Sequence, residues 1–401
     1  MGKLVLRHHR CLFYDKNGRV IARHRRLPDG SCFLLGPRGT GKSTWVKDAL
    51  PTALRVDLLK ESTYAELLGH ADRLEAMADA RRADTIVIDE VQKLPTLLDE
   101  VHRLIEERGF RFVLTGSSAR KLKRSGANLL AGRARTLTMH PFTVGELAAR
   151  FDLTHAIRFG MLPSVWARPN PAAYLKTYVG TYVREEVQHE ALVRNVAAFS
   201  RFLEAASFSQ ASVLNIQAVA AECAISRKTV ESHFDLIEDL LLAVRIPVFR
   251  RRAKRKLTVH PKFYFFDAGV YRALRPRGPL DTDEEIDGAA IETLVLQLLR
   301  AENANDDLGY DLYFWRTGDD REVDFVMYGE RGLHAFEVKR SSRFTERDLD
   351  TLRLFCADYP EAQACLFYGG TKHYRFGPIE VMPLGKGLAG LPKRLARPRR
   401  R

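Results

Sequence analysis

One stretch constrains this chain more than any other: the apolar run Cys32, Phe33, Leu34, Leu35 passes directly into "GPRGTGKST", residues 36 to 44. Glycines let the backbone curl until several N–H groups face one point, and the positive end of a following helix adds to the same focus. The pattern GxxxxGK[ST] between strand and helix is a cradle for nucleotide phosphates. The expected holders of ATP and Mg2+ are Gly36, Pro37, Arg38, Gly39, Thr40, Gly41, Lys42, Ser43 and Thr44. Lys42 would reach the β- and γ-phosphates, and Ser43 would ligate the metal.

A second apolar run, "DTIVIDEVQKLP", ends in Asp89 and Glu90, the form of a buried parallel strand that delivers acids to its carboxyl end. Asp89 is expected to hold the metal through water, and Glu90 to polarise the attacking water. "FRFVLTGSS" then offers Thr115 or Ser117 to the γ-phosphate or the attacking water, and "LLAGRAR" places Arg133 as a finger toward a neighbouring subunit's nucleotide. Strands are expected near 31–35, 54–57, 85–89, 111–115 and 135–139, with helices between them, giving an α/β layer around a mostly parallel sheet.

"GPRGTGKST", "IDEVQKLP", "LTGSS" and "LLAGR" together resemble the AAA+ superfamily of P-loop ATPases, in its ASCE division. More narrowly they resemble prokaryotic AAA-type ATPases that end in a long carboxyl-terminal domain. "GMLPSVW", "YVGTYVREEV" and "PKFYFFDAGVYRAL" look like that domain, so the resemblance spans nearly the whole chain. It implies a helical lid after the ATPase core and a homo-oligomer of the ring-forming kind.

At 401 residues the chain has room for several domains, and its 45% hydrophobic and 28% charged residues suit a globular protein. The longest apolar runs fall short of a membrane span, so no membrane partner is expected. No secretion signal stands out, and the five cysteines lack metal-ligand spacing, which fits reduced thiols in a cytoplasm. A formal charge of +14 favours a polyanion, because basic side chains gain affinity by releasing counterions from phosphate.

Residues 211–245 have the cadence of a helix-turn-helix, with Ser226 as the cap of the second helix. Arg227, Lys228, Thr229, Ser232 and His233 would sit on its early turns, where bases and phosphates are met. "RIPVFRRRAKRKLTVHPKFYFFD" reads as two strands joined by a basic wing, with Arg251, Arg252 and Lys254 toward DNA.

Near the end, "EVDFVMYGERGLHAFEVKR" alternates polar and apolar residues on two arms. With Gly329 to Gly332 as a four-residue loop, Tyr328 pairs with Leu333 and Asp324 falls opposite Glu337, with Lys339 on the same face. This arrangement resembles the PD-(D/E)xK nuclease superfamily, which implies a metal held by Asp324, Glu337 and the helix acid Glu292, with Lys339 beside the water. The same residues would also serve as a cross-strand salt bridge.

The expected organisation is an N-terminal segment 1–30, an ATPase core 31–145, a helical lid 146–205, a winged helix-turn-helix 206–264, a nuclease-like α/β domain 265–385 and a basic tail 386–401. The expected function is an ATPase acting on duplex or branched DNA, at ends, forks or junctions. An ATP-gated DNA-binding or defence protein with a non-cleaving domain and a protein-remodelling ATPase are the alternatives.

Overall fold

The computed structural model describes residues 13–14, 20–118, 129–166, 168–183 and 195–396, which fall into two compact units. The first runs to Phe142 and includes two short later segments. Its centre is a five-stranded sheet, every neighbouring pair parallel, in the order Leu54–Asp57, Thr85–Asp89, Arg111–Gly116, Ser31–Leu35 and Ala134–Thr138. All five expected strands are present, the last beginning one residue earlier than its alternating pattern suggested. Because the strands run one way, the residues following them emerge at a single end of the sheet. Gly36, Glu90 and Ser117 lie there, each directly after or next to a strand end.

The second unit begins at Thr143. The helices expected as a lid group with it, among them Leu153–Phe159, Pro163–Trp166 and Pro171–Thr177. The end of "YVGTYVREEV" lies outside the described residues. One buried carboxylate explains part of the grouping: Asp267 accepts the N–H of Met161 at 2.8 Å while capping helix Ala268–Leu274 through Gly269 and Val270.

Helices Ile216–Cys223 and Arg227–Asp239 follow in succession, and the Ser226 hydroxyl accepts the Thr229 N–H at 3.1 Å. Strands Ala243–Ile246 and Lys262–Phe265 then form an antiparallel pair. The basic stretch between them is tied to the rest of the unit at several points. Phe249 is 1% exposed in an apolar cluster with Trp315, Val326 and Phe355, and its N–H donates to the Phe314 carbonyl at 2.7 Å. Arg255 donates twice to Asp358, at 2.6 and 2.9 Å, and the Lys254 amine reaches the Ala357 carbonyl at 3.5 Å. Basic side chains do need an anion, but for Arg255 the anion is supplied by the same chain.

A six-stranded mixed sheet completes the unit, in the order Asp311–Arg316, Glu322–Gly329, Gly332–Lys339, Ala362–Tyr368, Ile379–Pro383 and Tyr374–Phe376. Tyr328 pairs with Leu333 as expected, but Gly329 also pairs with Gly332, so the turn is Glu330 and Arg331 alone. Helix Asp283–Asn305 precedes the sheet and helix Glu346–Asp358 crosses between its third and fourth strands in sequence. The expected tail is helical as far as it is described: Leu384–Ala396 buries Leu384, Leu388, Leu391 and Leu395, a helical spacing that composition concealed. Residues 397–401 lie outside the described residues. Each such leucine contributes about 1.5–3 kcal/mol.

His334, fully buried, reports on this packing. The Tyr310 hydroxyl donates to the Leu395 carbonyl at 3.0 Å, so His334 Nε2–H donates to Tyr310 at 3.0 Å and Nδ1 is left without a hydrogen-bond partner. Burial, with Arg394 nearby, pushes the imidazole down to about 4. An unfolded histidine binds a proton below about 6.5, so stability is full above that pH and falls as pH drops toward 4. We expect His334→Gln to flatten this loss, which reaches about 3 kcal/mol in the native protein, in urea titrations between pH 7 and 4.5.

Candidate functional site

Gly41 takes φ +85° at the start of helix Lys42–Ala49, and Gly39 takes φ +81°, conformations that only glycine adopts without strain. Gly36 has a different reason: a Cβ there would lie 2.5 Å from the Met139 carbonyl oxygen. Pro37, Arg38 and Thr40 lie in this loop, where the Thr40 hydroxyl donates to the Pro37 carbonyl at 2.8 Å. Lys42, 5% exposed, turns its amine back to the carbonyls of Gly36 at 2.6 Å and Pro37 at 3.2 Å. Thr44 is exposed on the first turn of the helix.

Ser43 Oγ donates to Asp89 Oδ1 at 3.1 Å, and Thr115 hydrogen-bonds the same oxygen. Glu90 sits at φ +58°, unusual for a residue with a side chain, immediately after the strand that carries Asp89. Gln92 donates to Glu90 and to Ser117 Oγ, the latter at 3.0 Å, and Ser117 reaches Glu90 at 3.3 Å. The structure therefore brings Ser43, Asp89, Glu90, Thr115 and Ser117 together. It adds Gln92, whose buried Oε1 is left without a hydrogen-bond partner and which the sequence reading passed over. Ser43 and Asp89 form a hard oxygen pair that fits Mg2+, and Lys42 fits phosphate. Arg133 is on the surface, in an ion pair with Glu106.

The second site gathers acids. Lys262, 1% exposed, places its amine 3.0 Å from Glu292 Oε2, 2.6 Å from Glu322 Oε1 and 3.2 Å from Asp324 Oδ1. The Tyr264 hydroxyl also donates to Glu292, at 3.0 Å. Asp324 Oδ2 accepts the Val338 N–H at 2.9 Å, so a side chain takes over where the backbone ladder of the hairpin ends. Glu337 Oε1 pairs with Lys339 at 3.1 Å, while Glu337 Oε2 is buried without a hydrogen-bond partner. Burial raises the Glu292 carboxyl to about 7, with Asp324 adding to it, and burial likewise holds Glu337 well above the usual carboxylate range. Burial alone would lower the Lys262 ammonium, but Glu292, Asp324 and Glu322 together hold it high.

The hairpin thus brings Asp324, Glu337 and Lys339 close, and Glu292 joins them through Lys262. What differs from expectation is the centre of the group: an ammonium stands among the acids expected to face a metal. Among the described residues no three His, Cys, Asp or Glu side chains converge as a metal cage.

The basic helix is the third candidate. Arg227, Lys228, Thr229 and Ser232 are exposed, with Arg227 held by Glu231 at 2.9 Å. His233 departs from the expected face, because its ring packs on Phe199 and Phe202 with centroids 5.0 Å away. Arg251 stacks over Tyr328 at 4.7 Å, Lys254 is engaged as described, and Arg252 is exposed.

Comparison with known proteins gives three family matches: residues 29–148 to an AAA domain, 150–281 to a domain of unknown function (DUF8612), and 287–386 to another (DUF4143). Uncharacterized proteins of Mycobacterium bovis and Mycobacterium tuberculosis are each 26% identical over 376 residues, covering 91% of this chain and 82% of each relative. Among solved structures, the replication initiator DnaA bound to AMPPCP and single-stranded DNA is 12% identical at a TM-score of 0.26, covering 52% of this chain and 82% of that one. A Vibrio cholerae protein is 12% identical at a TM-score of 0.23, covering 91% and 97%. The chain carries an AAA-type P-loop ATPase domain followed by a carboxyl-terminal DUF4143 domain. Among the described residues no helix is long and apolar enough to cross a membrane.

Proposed function

We propose that this protein is a cytoplasmic ATPase that couples ATP hydrolysis to action on DNA, through a winged helix-turn-helix and a nuclease-like carboxyl-terminal domain. Lys42 holds the phosphates, and Ser43 with Asp89 holds Mg2+, which neutralises charge on them. Glu90, positioned by Gln92 and Ser117, orients the attacking water. Arg133 acts on a neighbouring subunit if the protein assembles as a homo-oligomer, its exposed pair with Glu106 being weak enough to exchange.

The observation that carries the DNA reading is the exposed row Arg227, Lys228, Thr229 and Ser232 at the start of a helix, followed by a two-stranded hairpin. ATP hydrolysis by the full chain is expected to rise with duplex, forked or four-way-junction DNA. Arg227→Ala with Lys228→Ala should remove most of that stimulation while basal hydrolysis stays within about twofold, since phosphate contacts act through binding. A rate indifferent to every form of DNA would instead favour protein remodelling.

A second reading, in which the nuclease-like domain holds DNA without cutting it, is favoured by Lys262 among the acids. Incubating DNA with Mg2+ or Mn2+ separates the two. Products from the native protein that vanish in Glu337→Ala assign cleavage to this site, and products equal in both remove it.

A further inference from the structure

Lys262 stands where three carboxylates meet. An ammonium has three N–H donors, and each has a carboxylate within reach: Glu292 from helix Asp283–Asn305, and Glu322 and Asp324 from strand Glu322–Gly329. The other groups around it are already committed. Glu292 Oε2 also accepts Tyr264, Glu322 Oε2 accepts Arg316 at 3.2 Å, Asp324 Oδ2 accepts Val338, and Lys339 pairs with Glu337. Glu337 Oε2, on a residue 7% exposed, is the buried side-chain oxygen among the described residues of this cluster that lacks a hydrogen-bond partner.

Buried carboxylates need compensating charge, and a lysine or a divalent ion supplies it equally well in principle. Both cannot stand within about 4 Å of each other at the same acids, because their repulsion in a poorly screened site is large. We propose that Lys262 is the resident cation of this cluster: a positioning residue that holds Glu292 and Asp324, and that a divalent ion must displace in order to bind there. Its place in the chain gives the exchange a handle. Lys262 opens strand Lys262–Phe265, whose partner strand Ala243–Ile246 follows directly on helix Arg227–Asp239. The inference takes the domain's nuclease-like reading only as the reason a divalent ion would matter. The lysine's role as counter-ion stands without it.

The test uses the full chain without nucleotide or DNA, and Mn2+ as the probe, followed by calorimetry and by thermal unfolding. In the native protein, Asp324→Asn should leave Mn2+ binding unchanged. Lys262→Met should bind one further Mn2+ at least about tenfold more tightly than the native protein does, with Tm rising as Mn2+ is added. That gain should disappear in Lys262→Met combined with Asp324→Asn. If Lys262→Met does not fold alone, refolding yield with and without Mn2+ gives the same information, with Lys262→Gln as the milder neutral variant. The proposal is overturned if native protein already binds Mn2+ in an Asp324-dependent way, or if neither neutral variant gains binding, stability or refolding yield from Mn2+. Neither hydrolysis of ATP nor cleavage of DNA enters the measurement, so failure of the DNA reading leaves the result intact.

Discussion

Lys42→Ala is expected to reduce Mg2+-dependent ATP hydrolysis by at least about 100-fold, the scale of losing one preorganised charge from a phosphoryl-transfer site. The Lys42 amine lies 2.6 Å from the Gly36 carbonyl, inside the loop formed by Gly36, Gly39 and Gly41. Its position is therefore set by backbone that glycine alone can shape. An alanine keeps the glycines that shape the loop and removes the charge together with the amine's bonds to the Gly36 and Pro37 carbonyls. Glu90→Gln should give a different signature, with nucleotide binding kept and turnover lost by a similar factor, since in the proposed assignment Glu90 orients water rather than holding phosphate. Phosphate release and nucleotide affinity measured on both variants check the pair. Turnover unchanged by either substitution would remove the assignment of this loop.

Asp267→Ala is expected to destabilise the second unit by about 3–5 kcal/mol, the cost of stranding buried polar groups. Asp267 is fully buried. Its Oδ1 accepts Gly269 at 2.9 Å and Val270 at 3.1 Å, and its Oδ2 accepts Met161 at 2.8 Å. The fit is close on both sides. A Cβ on Gly160, which has φ +74°, would lie 1.9 Å from Oδ1, and one on Gly269 would lie 2.1 Å from the Phe159 carbonyl. Asp267→Asn should fall between, because its oxygen still accepts two N–H groups while its amide faces the Met161 N–H as donor against donor. Burial raises the Asp267 carboxyl to about 6, with the three backbone N–H groups opposing it. The native state therefore holds a proton that the unfolded chain has released between about 4 and 6. Stability from this group is full below about 4 and is lost as pH rises through 6. The gap between native protein and Asp267→Asn in urea should therefore widen in favour of the native protein between pH 7 and 5.

The middle of the ATPase sheet was legible because three of its five strands are short apolar runs ended by a residue of special chemistry: Gly36 after Leu35, Asp89 at the end of Ile86, Val87 and Ile88, and Gly116 after Thr115. The cap at Ser226 was legible for the same local reason. Lys262 was not, because its partners lie 30, 60 and 62 positions away and nothing near "HPKFYFFD" announces them. What the sequence did carry was the requirement: Glu292, inside an apolar helix, had to have a partner. At residues 250–256 positive charge reads as a surface for phosphate, and what the sequence does not show is that one of these side chains has an internal anion: Asp358, 103 positions away, takes Arg255.

The hairpin that carries Phe249 and Lys262 has a practical meaning for anyone dividing this protein. Cutting between residues 264 and 265 separates Phe249 from the apolar cluster around Trp315, and Lys262 from Glu292, Glu322 and Asp324. A carboxyl-terminal piece made that way inherits three crowded acids with no lysine among them. Any metal it binds describes the excised piece, whereas a piece starting before Ala243 keeps the charge balance of the whole chain.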